Sequence, residues 1–516
     1  MDSNKIKIII FGVIATFVAL YLGISAATAQ FEAIAWIVGS TTLIICVLLG
    51  RKIWLLIPFL GSLQFTLMIP GRPTTMLVAQ LLVVAFSLLM FLARKLPLTL
   101  RFTELEFWIA LLVGCVMQVY LRNPVGVNLF GSDTVGGRPY ALFVVTLIAS
   151  MILCGLRVPA AELRTAMKLS IIGGLLNLGM GFFGWLLPSF GVWIGVVDMP
   201  RDGMQADAGD VTEAGRVDFV THVPLTLATW VSSFANPIRA CFSWRWAPLV
   251  LLSFAFAAMS GYRNVAGAVG LTYVVGLFYH GRFLAVLAAG MLSIIGLIFL
   301  AVGNLAMPLP PNIQRSLSFL PGTWDQRYLA DSKASTDWRV EIWKEVLLTD
   351  RWIRNKWLGD GLGYSAEELA MQRSMAARKN IGRLGVSGFD AHREAILSNG
   401  DYHSGPVSAI RVIGYFGLLV MGVAQLRLVV HAHRQIMRCK GTEWFPVALF
   451  FCIPIVWTPA FFWAVFGGFA SDAPALLLAA GMLRMLENNL PLPAYVPAGR
   501  RQYELPLQRP AVASAG

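Results

Sequence analysis

Apolar stretches of about twenty residues recur along nearly the whole chain, divided by short connectors that carry much of its charge. Inside a bilayer the backbone has no water to bond, so a stretch of this length is a membrane-spanning helix. With 57% hydrophobic and 13% charged residues among 516, the chain is too apolar to be a soluble protein. Candidate spans lie near residues 8–27, 32–49, 53–69, 74–93, 105–121, 139–156, 169–194, 219–237, 246–260, 264–280, 283–302, 404–426, 444–466 and 473–488. The expected fold class is therefore an all-α polytopic membrane protein with about 14 transmembrane helices (12–14). The first span ends in Ala27-Thr28-Ala29, which looks like a signal-peptidase site. The helix is expected to stay uncleaved, and either outcome leaves Gln30 outside.

The connectors set an orientation. With both termini inside, the inner connectors and tails hold 21 Lys/Arg and the short outer connectors hold six. That is the asymmetry the positive-inside rule describes, and it explains the net charge of +13 without a nucleic-acid partner. The organisation that follows has four parts. Residues 1–303 form a bundle of about 11 helices, and 304–403 a long, partly helical outer loop. Residues 404–490 supply about three more helices, and 491–516 a disordered cytoplasmic tail rich in Pro and Arg. The loop would be periplasmic in the inner membrane of a bacterium with two membranes. Within it Trp338, Ile342, Val346, Ile353 and Trp357 share one helical sector, which predicts an amphipathic helix. Gly359-Asp360-Gly361-Leu362-Gly363 then ends it in a tight turn.

Several chemistries have no residues to carry them. The outer segments lack an Asp-x-Asp pair, a His-Glu-x-x-His and any close His/Cys cluster, and the glycine turn lacks the Lys-Ser/Thr of a phosphate loop. No metal and no cofactor is therefore expected. The six cysteines lie away from the outer segments and read mostly as buried apolar thiols rather than a disulfide framework.

What remains is arginine and, where the loop re-enters the apolar region, one histidine at a membrane face. The loop holds 12 acidic and 13 basic residues and re-enters the apolar region just after His403. Arg263 sits in the polar hairpin Ser260-Gly261-Tyr262-Arg263, where it either snorkels to headgroups or holds an anion. Arg339 lies one helical turn before Trp343, where pairing with a neighbouring carboxylate is the alternative. Arg138, Arg216 and Arg411 are weaker candidates by position, and Arg411, inside a span, needs an inward-facing partner. Guanidiniums bind phosphate oxygens through a bidentate fork, and a neutral imidazole at the same depth can accept a hydroxyl proton. A lipid-linked diphosphate suits such a set.

Four motifs in order add a resemblance. His403-Ser404 followed by Gly414-Tyr415-Phe416-Gly417-Leu418 resembles the His-(Asn/Ser)…Gly-x-x-Gly-Leu signature of the O-antigen ligase/polymerase superfamily. Arg339-x-x-x-Trp343, the segment Trp357-Leu358-Gly359-Asp360-Gly361-Leu362-Gly363 and the hairpin Ser260-Gly261-Tyr262-Arg263 resemble three further elements of that family. Arg216-Val217-Asp218-Phe219 is a fainter echo of a fourth. The match runs over roughly residues 210–425. Lys356 stands where the family has Pro, and Tyr262 replaces a small residue, which affects the expected shape of the site.

The resemblance implies a metal-independent, inverting glycosyltransferase that takes a glycan from undecaprenyl diphosphate at the outer face. His403 would be the activating or orienting residue, and Arg263, Arg339 and Arg216 would grip the diphosphate. Arg138 and Arg411 join them by position alone. A glycolipid or growing glycan as acceptor would make the protein an O-antigen ligase or a polysaccharide polymerase. A protein hydroxyl would make it a protein O-oligosaccharyltransferase. A lipid-linked oligosaccharide flippase is the alternative from another class.

Overall fold

The computed structural model describes residues 31–67, 72–126, 136–187, 220–281, 283–310, 313–314, 317–318, 322–364, 370, 374, 397, 400 and 402–491. Every regular element among them is helical, apart from one isolated bridge between Thr66 and Thr74. In chain order the α-helices are α1 Phe31–Leu49, α2 Leu56–Leu63, α3 Thr75–Leu92, α4 Glu104–Arg122, α5 Arg138–Gly155, α6 Ala160–Leu186, α7 Val223–Phe234, α8 Pro237–Cys241, α9 Ala247–Met259, α10 Arg263–His280, α11 Phe283–Ala306, α12 Gln326–Leu348, α13 Gly405–Cys439, α14 Phe445–Ala464 and α15 Phe469–Asn489. Eight helices among the described residues are long and apolar enough to cross a membrane. The expected span at 8–27, its Ala27-Thr28-Ala29 end, Arg216 and the tail from 492 lie outside the described residues.

Helix starts follow the local chemistry. Thr103 and Glu106 close a capping box at the start of α4, and the Thr74 hydroxyl accepts from Leu77 N at 3.2 Å to start α3. Proline occupies the first turn of α5, α7, α9, α13 and α14, where its missing N–H is no loss. Large apolar side chains such as Leu92, Leu121 and Phe299 face outward, as lipid contact requires.

Between helices, small residues permit close approach. A Cβ on Gly173 would stand 2.5 Å from the Phe59 carbonyl of α2, and one on Gly481 of α15 would stand 2.9 Å from the Ser150 carbonyl of α5. These contacts bring α2 close against α6 and α5 close against α15.

Element lengths depart from the sequence spacing in four places. The spans read at 32–49 and 53–69 merge into one stretch of candidate-span helix, Gly39–Leu63. In it α2 contributes eight residues, about 12 Å, before Gln64 turns left-handed at φ +50°. The regions read at 219–237 and 246–260 contain helices of only 12 and 13 residues. The region read at 404–426 continues to Cys439, because the basic residues Arg427 and Arg434 are accommodated along the helix rather than ending it. The amphipathic helix stops at Leu348, not near Trp357, so Ile353 is buried from a turn and Trp357 stays exposed.

A charge network ties three helices together at one end of the bundle. Arg484 of α15 pairs with Glu106 of α4 and with Glu487, and Glu487 also meets His431 of α13 at 2.9 Å. Arg427 pairs with Glu104 at 2.7 Å alongside. All four side chains of the inner set are largely buried. Removing the cation would take the shared positive charge from two largely buried carboxylates, leaving Glu106 only its Thr103 bonds and Glu487 only His431. Arg484→Ala should therefore destabilise the folded protein by about 3–5 kcal/mol, read as a lower thermal midpoint of the purified protein in detergent. A midpoint equal to wild type would show that the network contributes nothing.

Candidate functional site

At the opposite end, α13 begins beside His403 and breaks at Gly414, whose backbone (φ +71°, ψ −178°) is not helical. The break is filled by the glycine turn. Asp360 N donates to Arg411 O at 2.7 Å and Gly361 N to Val412 O at 3.1 Å, while Tyr415 N donates to Lys356 O at 2.8 Å and Phe416 N to Trp357 O at 3.3 Å. Main-chain groups freed by the break are thus satisfied by a second segment of main chain.

The approach is close enough to require glycine on both sides. A Cβ on Gly414 would stand 2.1 Å from Trp357 O, and one on Gly359 would stand 2.4 Å from Val412 O. The two motifs that the sequence presents fifty residues apart are halves of one structure.

The turn is held from within and from outside. The Asp360 carboxylate accepts from Arg354 N and Asn355 N at 2.7 and 3.0 Å, and Asn355 Oδ1 accepts from Leu358 N at 2.9 Å. These bonds offer the backbone an alternative to helix, which accounts for the early end of α12. From the end of α4, Gln118, Arg122 and Asn123 donate to the carbonyls of Leu358, Gly359 and Asp360. The Tyr140 hydroxyl of α5 accepts from Leu362 N at 2.9 Å.

His403 follows in the left-handed region at φ +48°, an uncommon backbone for a residue with a Cβ. Its neighbours hold it there. The Trp343 indole N–H donates to Tyr402 O at 2.9 Å, and the Tyr402 ring is enclosed with Ile342, Val346, Ile353 and Ile410. Burial pushes the Tyr402 phenol up, so it stays protonated. Behind it, Gly405 lies against Phe462, where a Cβ would stand 2.4 Å from the ring.

The half-buried imidazole itself lies between two rings, with centroids 5.6 Å from Trp338 and 5.8 Å from Phe466, the latter stacked at 27°. Trp343→Phe keeps an aromatic ring, a smaller one, and removes the N–H. It should cost about 0.5–1.5 kcal/mol and speed amide hydrogen exchange over residues 402–408, measured by mass spectrometry. Unchanged exchange there would contradict the anchoring role of the indole.

The expected arginines divide into groups. Arg339 follows Trp338 directly and precedes Trp343 by one turn, on the helix that supplies the contacts to both Tyr402 and His403, and it is itself partly buried. Arg263, also partly buried, is the first residue of α10 and reaches Ser318 at 3.4 Å. His280 at the other end of α10 packs edge-on against Phe445 at the start of α14, at 5.3 Å. Since α10 and α14 pack together, Arg263 and the Phe466 end of α14 emerge at the same end of the bundle.

Arg411 and Arg138 are nearly inaccessible, at 6% and 5% exposure. Arg411 lies over the Tyr364 ring at 4.1 Å with Nη1 3.5 Å from Gly361 O, and Arg138 Nη2 donates to Arg72 O at 3.3 Å. Arg216 lies outside the described residues.

Sequence reasoning missed Gln118, Arg122, Asn123, Tyr140 and Tyr402. Arg122 and Asn123 stand in an ordinary polar connector, and nothing in their spacing pointed to a turn some 240 residues away. Among the described residues no three His, Cys, Asp or Glu side chains gather as a metal site would.

Fold and site together define the class: an all-helical, multi-span membrane protein. No protein-family model and no curated protein matches the chain.

Proposed function

We propose that this protein is an inverting glycosyltransferase moving a glycan from a polyprenyl diphosphate to an acceptor hydroxyl, as an O-antigen ligase or polysaccharide polymerase does. In this reading the chain crosses the inner membrane about fourteen times, with both termini cytoplasmic and the segment 304–403 periplasmic. The observation that carries it is the seat of His403: an imidazole held half-buried between two rings, with Arg339 on the helix that supplies one of them.

The acceptor oxygen forms its bond to the anomeric carbon from the face opposite the diphosphate, the anomeric C–O bond breaks, and the configuration inverts. His403 takes the hydroxyl proton, and the leaving diphosphate takes the bonding electrons. Arg339 and Arg263 stabilise the charge that grows there, with Arg216 as a third contact. The donor supplies the free energy, so no nucleotide is consumed. Arg411, buried against the Gly361 carbonyl, acts here by holding the glycine turn, and Arg138 by holding the Arg72 carbonyl, rather than by touching the diphosphate.

The test is reconstitution in proteoliposomes with a lipid-linked oligosaccharide. Donor consumption and product formation without movement between leaflets supports transfer; movement without consumption would make the protein a flippase and end the proposal. Product analysis with glycolipid, glycan and protein acceptors distinguishes ligase, polymerase and protein O-oligosaccharyltransferase. Arg339→Ala should lower kcat/KM about 10²–10³-fold, equivalent to about 2.7–4 kcal/mol, and wild-type turnover in that variant would remove Arg339 from the site.

A further inference from the structure

At the end of α10 opposite Arg263, a cavity of about 500 Å³ opens among the ends of α7, α8 and α10. It belongs to a different part of the molecule from His403, since the 18 residues of α10 separate it from Arg263 by about 27 Å. Its lining has two kinds of surface. Phe234 and Trp246 form an aromatic wall, their rings stacked at 6.2 Å and 17°, and Arg239 supplies a cation. His280 completes the wall: its Nε2 lies 2.8 Å from Ser232 O, a carbonyl that only accepts, so this nitrogen carries the proton and fixes the ring.

The charges here are of one sign. Among the described residues no Asp or Glu lines the cavity. Among the described residues neither Arg239 nor Arg245 has a carboxylate within ion-pair distance, and Arg245 lies over the Trp246 ring at 5.3 Å. Immediately beside the opening, Phe242 and Trp244 are 84% and 93% exposed. Two naked aromatic rings next to two unpaired guanidiniums, beside the Phe445 start of the membrane-crossing helix α14 that packs on His280, mark the depth of lipid headgroups.

From this arrangement we infer that the cavity is a binding site for an acidic phospholipid. The phosphate sits against Arg239 and Arg245, and the glycerol and upper acyl carbons lie on the Phe234–Trp246 wall. Arginine suits this role because its fork matches phosphate oxygens while its stem and plane lie on aromatic faces. The inference is independent of the transferase reading.

The experiment uses the full-length protein purified in detergent, with native mass spectrometry of bound lipid. Phosphatidylglycerol and phosphatidylcholine of identical chains are offered at equal concentration, with glycerol phosphate as a soluble competitor. Wild type should retain phosphatidylglycerol roughly fivefold or more over phosphatidylcholine, and Arg239→Gln with Arg245→Gln should bring the ratio close to one. Glycerol phosphate at equal concentration should not displace the lipid. Equal retention of the two lipids by wild type, or an undiminished preference in the doubly substituted protein, would overturn the assignment. So would displacement by glycerol phosphate alone, which would make this a site for soluble phosphate. Both arginines are exposed, and the wild-type comparison requires no variant at all.

Discussion

His403→Asn should abolish most glycan transfer, by about 10²–10⁴-fold in kcat, while leaving the protein folded and the donor bound. The magnitude is that of losing a positioned general base. Asparagine is the informative substitution because the backbone at 403 is left-handed, a conformation Asn tolerates far better than Ala. Alanine would confound loss of the imidazole with backbone strain beside the Trp343–Tyr402 bond. The measurement is single-turnover transfer from a lipid-linked donor in proteoliposomes, with the thermal midpoint recorded in parallel. Transfer within threefold of wild type would remove His403 from the chemistry, whatever the acceptor proves to be.

Gly414→Ala should produce the second large effect, on stability. The new Cβ would lie 2.1 Å from Trp357 O, and backbone cannot swing away as a flexible side chain can. Two penalties combine. A non-glycine residue at φ +71°, ψ −178° costs roughly 1–3 kcal/mol. Expelling the turn also forfeits four main-chain hydrogen bonds worth about 0.5–1.5 kcal/mol each. A loss of about 4 kcal/mol or more is expected, seen as a lower thermal midpoint and as new protease cleavage between Thr349 and Tyr364. Gly359→Ala breaks the same contact from the other side, so the double variant should be no worse than about the poorer single one.

Gly267→Ala, on α10 with nothing within 4 Å of its added Cβ, serves as the control and should be neutral or slightly stabilising. Equal midpoints for Gly414→Ala and Gly267→Ala would show that the turn does not brace the broken helix.

These two residues illustrate how much could be read along the chain. His403 was legible as a candidate because a polar loop gives way to an apolar span at that point, and hydropathy is local information. Gly359, Gly361 and Gly363 were legible as a turn for the same kind of reason, and each has a positive φ. The end of α12 was not. Its apolar periodicity continues through Ile353 and Trp357, but Asp360 and Asn355 bond the intervening amides and cap an irregular segment instead.

The sequence by itself determined that the chain is helical and crosses a membrane, because segment length and apolarity set the transfer free energy without reference to any partner. It also determined where polar chemistry can stand, at the ends of those segments. Only the tertiary structure decided what each polar residue does there. Arg411 and Arg339 are indistinguishable in type, yet one is enclosed over Tyr364 and the other stands half-buried on α12, next in the chain to the Trp338 that meets His403. That difference arises from contacts between segments fifty to more than two hundred residues apart, where a glycine's missing Cβ or a carbonyl's direction sets the outcome and no local pattern encodes it.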